Sequence, residues 1–261
     1  MKKVVAIMLA LLMMAMLTAC GQKTEQTYVL KESLRTIGEA ELRTEYIYAK
    51  DGTVAQIKIY LNGDLMRTTV NRTSNGLQYV SVKEANGQES TQTIESVHND
   101  AGQLVLVTTV YGGMTTVTTK YTYNDQGQVV KVVSSGPDGE TVSTYTYDEE
   151  GNPICQLQIN EKAETYLRIE AVYDDNSFVI KESTYSGEDI LDGYVEISYA
   201  KENTEKTLTY YDGAGNPTGQ VVVKTFDENG NEIQEVISRN GEVAQTTVNT
   251  YVLMEVPVKE K

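Results

Sequence analysis

The chain has no tryptophan, two phenylalanines, one histidine, two cysteines and four prolines in 261 residues, and each shortage closes a class of function. A single histidine, His98, excludes H-E-x-x-H centres and multi-histidine zinc sites built within one chain. Its place before Asn99-Asp100-Ala101-Gly102 reads as a solvated turn position, not a general base. Basic residues are few, 22 against 37 acids, and nowhere form a run. Phosphate recognition draws on clustered Lys and Arg, so nucleic acid is excluded as a partner. No G-x-S-x-G elbow or Walker A loop is present, and Gly213-Ala214-Gly215-Asn216-Pro217-Thr218 misses the dinucleotide fingerprint at its last position. Asp227-Glu228-Asn229-Gly230-Asn231 starts like a calcium loop, but its glycine stands fourth instead of sixth and Ser238 occupies the twelfth place; turn formation accounts for it. No catalytic residue, metal or dissociable cofactor is therefore expected. With 37 acids, any one carboxylate pair chosen as a hydrolytic site is uninformative.

What is present begins with a processing signal. Lys2 and Lys3 precede an apolar stretch from Val4 to Leu17, too short for a spanning helix. The stretch ends in Leu17-Thr18-Ala19-Cys20-Gly21, which resembles the lipobox of bacterial lipoproteins. The resemblance implies cleavage after residue 19 and a covalent lipid on Cys20, which would hold the protein to a membrane on the extracytoplasmic side of the cell envelope. Each buried methylene adds about 0.8 kcal/mol, so several acyl chains anchor firmly. Once Lys2 and Lys3 are removed, 20 basic residues face 37 acids, a net charge of about −17. Cys155 is then the one remaining thiol, so no internal disulfide can form. The alternation in Ile154-Cys155-Gln156-Leu157-Gln158-Ile159 is read as setting Cys155 opposite the Ile/Leu face, a passive strand residue.

The rest of the chain is rich in Thr, Val and Tyr, with 18 tyrosines, and shows no helical periodicity. Turn signals recur at intervals of about 25 residues. One series centres on Gly52, Gly76, Gly102, Gly127, Gly151, Asn176, Asn203 and Gly230. A second interleaves near Gly38, Gly63, Gly87, Gly113, Asp138, Lys162, Gly187, Ala214 and Gly241. Two turns per period give one hairpin per period, hence an all-β antiparallel meander of about 18 strands. First-series turns share an opening Asn or Asp and a closing Gly, the chemistry of a type I turn followed by a residue at positive φ. Asn62-Gly63, Asn86-Gly87 and Asn240-Gly241 predict two-residue hairpin turns. Asp212-Gly213-Ala214-Gly215-Asn216 has first-series chemistry in second-series phase, which leaves the register of residues 200–218 open.

In Tyr121-Thr122-Tyr123 and Tyr145-Thr146-Tyr147 the tyrosines share one face and the threonine the other, predicting a tyrosine-rich face and a threonine-rich one. Because twist makes large sheets curl, close or split, the expectation is a sheet coiled into a roll or open shell, with a four-bladed propeller as the alternative. The expected organisation is a signal peptide over 1–19, lipidated Cys20 and a tether over 20–27, the meander over 28–254 and a polar tail over 255–261.

Tyr145-Thr146-Tyr147-Asp148-Glu149-Glu150-Gly151-Asn152 resembles the core of YD repeats, the motif of the RHS family, with weaker copies at 121–128, 211–216 and 226–231. The resemblance implies a β-strand scaffold at a cell surface and no catalytic residue, since the motif builds turns and packing. The expected function is a membrane-anchored, non-enzymatic β-repeat scaffold or binding module whose partners are the membrane and a cell-surface glycan or protein, through ligand-binding residues the sequence does not identify. The alternatives are a carboxylate-dependent, glycan-active hydrolase and a secretion or assembly accessory that encloses a client.

Overall fold

The computed structural model describes residues 24–258 apart from Asn75, Glu188 and Lys201. The signal segment and the lipobox residues Leu17, Thr18, Ala19, Cys20 and Gly21 lie outside the described residues. Within them the chain is 18 antiparallel strands without a helix. The first hairpins are β1 (Thr24–Ile37) with β2 (Ala40–Tyr48), β3 (Val54–Leu61) with β4 (Asp64–Ser74), and β5 (Leu77–Glu84) with β6 (Glu89–His98). Then come β7 (Leu104–Tyr111) with β8 (Thr115–Tyr123), β9 (Val129–Gly136) with β10 (Gly139–Tyr147), and β11 (Pro153–Asn160) with β12 (Thr165–Tyr173). The last are β13 (Val179–Tyr185) with β14 (Leu191–Ala200), β15 (Glu205–Asp212) with β16 (Pro217–Phe226), and β17 (Glu232–Arg239) with β18 (Glu242–Pro257). Strand structure thus starts at Thr24, inside the segment read as a tether, and runs through Pro257, inside the segment read as a tail.

Each strand pairs with the next, and β1 also pairs with β18, from Thr24↔Pro257 to Thr36↔Thr246. The sheet is therefore a closed barrel, neither the open roll or shell nor the propeller that the sequence suggested. A propeller would break the ladder between blades, and this ladder is unbroken. β1 and β18 are the longest strands, 14 and 16 residues, so leaving them unpaired would expose two long rows of backbone donors and acceptors. Closure satisfies both rows at once.

Cross-strand registers separate the two faces of the wall. Among the described residues the seven buried side chains are Val107, Val195, Ile197, Val222, Ser143, Asn160 and Thr247, and tracing the pairings around the barrel puts all of them on one face. A closed sheet crowds side chains on its concave side, so this face is the inside. No side chain is completely buried, and Val222, the most covered apolar one, keeps 4% of its surface. Strands about 4.8 Å apart and tilted by about 40° make an 18-strand barrel roughly 35 Å wide between backbones for a circular section, the size class that leaves a lumen instead of a packed core.

The two turn series lie at opposite ends of the barrel. The near rim carries the first series and both described chain ends; the far rim carries the second. Near-rim turns repeat one construction: Asn124 Oδ1 accepts from Gln126 N (3.1 Å) and Gln128 N (2.9 Å), Asn124 N donates to Gln128 O (2.9 Å), and Gly127 sits at φ 80°. Asp148 and Asp227 repeat it. On the far rim, Asn62-Gly63 and Asn240-Gly241 form the expected two-residue turns with both residues at positive φ. Asn86-Gly87 does not: only Gly87 has positive φ, and Glu84 N donates to Gln88 O across a longer loop of the near-rim type.

The misfit at residues 212–216 resolves in the same terms. Asp212 builds a near-rim turn at the far rim, accepting from Ala214 N and Asn216 N, so the phase assigned to this region holds while its chemistry is transplanted. The tyrosine preceding the turn then falls on the outer face, where Tyr211 stacks on its cross-strand partner Tyr194 with centroids 4.6 Å apart.

At four of the eight near-rim turns the preceding residue is a tyrosine at a register shift: Tyr48, Tyr123, Tyr147 and Tyr173. The extra residue of each bulge lies on the following strand, and alternation sets the ring on the concave face, from which its hydroxyl reaches the preceding strand. Tyr123 donates to Leu104 O (2.6 Å), Tyr147 to Val129 O (2.6 Å), Tyr173 to Pro153 O (2.9 Å), Tyr199 to Val179 O (3.1 Å) and Tyr251 to Glu232 O (3.1 Å). In each case the acceptor is the first residue of the preceding strand. Tyr48 donates to Leu30 O (2.8 Å), and on β4 Asn71 Nδ2 takes the same role toward Val54 O (3.0 Å). These bonds lock successive strands where the ladder is interrupted. Tyr147→Phe should cost about 1 kcal/mol, the net worth of one such bond, with little change in spectrum; a urea midpoint shift with unchanged m-value checks this.

Candidate functional site

The concave wall is the candidate site. Its near-rim half is lined by the tyrosines Tyr46, Tyr48, Tyr121, Tyr123, Tyr145, Tyr147, Tyr173, Tyr199 and Tyr251, whose hydroxyl pKa values are pushed up by burial. For Tyr48, burial and then the neighbouring Tyr46 and Tyr251 push it up to about 12. The rings are therefore neutral donors over the physiological range. Farther down, Ser143, Gln156, Gln158, Asn160 and Thr247 add hydroxyl and amide groups. Asn160 Nδ2 donates to Thr141 Oγ1 at 2.8 Å.

The densest charge lies across β13 to β17, while Arg67 and Glu84, 2.8 Å apart, form a second inward pair across β4 and β5. Lys224 Nζ lies 2.9 Å from Glu232 and 3.0 Å from Glu235. Lys206 is its direct cross-strand partner, with Nζ 5.7 Å from the Tyr199 ring centroid, and Glu182 and Tyr210 extend the group across β13 to β17. Like charges directly opposite one another are unfavourable in a sheet. The two glutamates relieve the conflict at Lys224: burial opposes its charge, but the hydrogen bonds outweigh it and raise its pKa. Lys206 fares differently. Burial lowers its pKa, with Lys224 pushing the same way and Glu182 and Glu232 pulling back.

A lysine whose pKa is lower folded than unfolded opposes folding while both states are charged. The cost fades as pH rises through the folded pKa towards the unfolded value near 10.4. Lys206→Met should therefore raise stability at pH 7 by a few tenths to about 1 kcal/mol, discounted for partial exposure. The gain should shrink by about half or more by about pH 10.5, which paired melts at pH 7 and pH 10.5 would check.

Several residues singled out from the sequence have plain structural duties. Asp227 Oδ1 accepts from Asn229 N and Asn231 N, both at 2.9 Å, and Oδ2 from Asn231 Nδ2 at 2.9 Å, so turn formation occupies the loop that resembled a calcium site. Among the described residues no group of three His, Cys, Asp or Glu is placed to hold a metal ion. His98 stands exposed at the end of β6, in the position filled by Tyr123 and Tyr147 in later repeats. Cys155 pairs with Thr146 and Glu170 on the outer face. Residues two apart share a face, so it lies on the side of Leu157 and Ile159, not opposite them as read from the sequence. Burial, then Glu170, pushes its thiol pKa up, which makes it a poor nucleophile.

The sequence reading missed Lys206, Lys224 and Glu182. A signal was available, because Lys206 shares parity with Leu208 and Tyr210, and Lys224 with Val222 and Phe226. Alternation thus puts both lysines on the apolar face, which the closed sheet makes the concave one.

Comparison with known proteins gives three findings. The family model described as RHS Repeat matches residues 123–158, which run from Tyr123 through the Asp148 turn into β11. No curated protein matches the chain. Among solved structures, a porin-like protein from Bacteroides uniformis ATCC 8492 is 13% identical with a TM-score of 0.46, over 85% of this chain and 96% of that one. The Tc holotoxin pore of Photorhabdus luminescens is 12% identical with a TM-score of 0.39, over 77% of this chain and 12% of that one. The family match thus falls on one stretch of a closed β-barrel whose tyrosines and turns recur around the wall.

Proposed function

We propose that the chain is a lipid-anchored lipoprotein on the extracytoplasmic side of the envelope, and that its barrel is a non-catalytic scaffold that binds through its lumen and rims. The observation that carries this reading is the closed repeat wall, whose concave face sets neutral tyrosines, hydroxyls and amides beside a sector of paired charge. Such a lining offers aromatic area and hydrogen bonds, the chemistry that suits a glycan or an extended polypeptide. The outer face supports a barrel standing in water, because Lys58, Lys120, Arg168, Lys181 and Glu196 point outward from within their strands. At a bilayer midplane each outward Lys or Arg would cost about 2–4 kcal/mol. The closed wall also favours enclosure of a client over a glycosidase cleft, and keeps the accessory role as a form of the same reading.

Two measurements test it. Labelled palmitate should enter the wild-type protein and not Cys20→Ala, which should leave the membrane fraction; labelling that survives the substitution overturns the anchor. Purified protein should retain glycans or peptides on a binding array without turning them over. Hydrolysis of any of these that is lost on Glu232→Gln or Glu235→Gln would overturn the non-catalytic reading.

A further inference from the structure

β1 meets β2 only from Glu32 to Ile37, and β18 meets β17 only from Glu242 to Val248. Beyond those points Thr24–Leu30 and Tyr251–Pro257 have each other as strand partners, so a two-stranded ribbon rises past the near rim. It leans on the β2–β3 turn, where Val256 Cγ1 lies so close to Gly52 that a Cβ there would stand 2.6 Å from it. On the ribbon, Tyr28 and Leu253 form a cross-strand pair and are 46% and 50% exposed. On its other face Val29 pairs with Val252, which is 37% exposed. Apolar exposure here contrasts with the acidic turns around the same rim, which carry Asp100, Asp125, Asp148, Asp174 and Asp227.

The ribbon begins four residues after Cys20. A chain extends at most about 3.5 Å per residue, so Thr24 can lie no more than about 14 Å from a lipidated Cys20. Resting on the anchor reading, we infer that the β1/β18 ribbon is the membrane-contacting foot of the barrel, with Tyr28, Val252 and Leu253 set into the interfacial layer of the bilayer. The ribbon's outer edges carry unpaired backbone groups, which cannot enter hydrocarbon without several kcal/mol each, so the contact stops at headgroup depth. Tyrosine is a residue of that layer, having an apolar ring and a polar tip. Glu25 and Glu255 on the ribbon and the acidic turns beside it select zwitterionic lipid over anionic lipid.

The absence of tryptophan makes a clean experiment possible, because any introduced tryptophan is the sole indole reporter. Full-length lipidated protein carrying Leu253→Trp or Met114→Trp is placed in phosphatidylcholine vesicles with lipid brominated near the headgroup. Met114 is 89% exposed and sits on the far rim, so its variant reports the opposite end of the barrel. The expected result is blue-shifted, bromolipid-quenched emission at position 253 and acrylamide-quenched, lipid-insensitive emission at position 114. Quenching by lipid at both positions would show a barrel lying on its side and overturn the foot. Insensitivity at both, in protein whose mass shows acylated Cys20, would overturn the foot and leave the anchor standing. An unmodified Cys20 mass would overturn both.

Discussion

A Leu34→Pro substitution should open the barrel. Leu34 lies in the closing strand and pairs on both sides, with Val248 of β18 and with Arg43 of β2. Proline brings no N–H and does not fit a strand paired on both edges, so the ladder fails at the seam that makes the sheet a barrel. Every other strand keeps its neighbours, yet the two edges so released would expose long rows of unpaired backbone groups. The expected cost is about 4 kcal/mol or more, in the far tail of single substitutions, with a Tm lower by about 10 °C or no cooperative transition. Leu34→Ala keeps the ladder and should cost only about 1–2 kcal/mol, because the side chain is partly exposed. Thermal melts of the pair by circular dichroism separate the backbone effect from the side-chain effect. Similar melts for the two variants would mean that the seam contributes little.

The second large effect is expected at Gly213. A Cβ there would sit 2.0 Å from the backbone oxygen of Leu191, and one at Gly193 would sit 2.5 Å from that of Tyr211. Both obstacles are main chain, so neither can swing aside. Gly213 is not at positive φ, so its glycine is required by close approach alone. Gly213→Ala should cost about 2–4 kcal/mol through forced backbone displacement. Gly38→Ala makes the informative contrast: Gly38 is at φ 58° with open space around the site of a Cβ. It carries only local strain, about 1 kcal/mol. Urea denaturation of both variants should rank Gly213→Ala well below Gly38→Ala; the reverse order would remove the close approach as the reason for glycine at 213.

Gly213 also shows where reading the sequence stops. The run Asp212-Gly213-Ala214-Gly215-Asn216 announces a turn, and Gly215 at φ 85° fills the position the turn chemistry demands. Nothing local distinguishes Gly213, whose constraint is imposed by β14 arriving from another hairpin. The strand phases were legible for a related reason: glycine and asparagine at fixed spacing report local backbone conformation, and hairpins are local. Closure was not, because the pairing of Leu30 with Tyr251 joins opposite ends of the chain and leaves no periodic trace. The lumen was half legible. Alternation sorted Tyr121, Tyr123, Tyr145 and Tyr147 onto one face, but alternation has no sign, and only the curvature of the closed sheet says which face is concave. Lys206 and Lys224 then become interior charges by their parity with Leu208 and Val222, a conclusion available only after the sign is known.

The even strand count carries a consequence for how such a wall can change size. Because each repeat contributes a complete hairpin, gaining or losing one alters the circumference by two strands and returns the chain to the same rim. Antiparallel closure between first and last strands survives, and every inward side chain stays inward. A chain built this way can widen or narrow through duplication or deletion of a 25-residue unit, whereas loss of a single strand would leave the closing pair parallel and force the first strand into a new register.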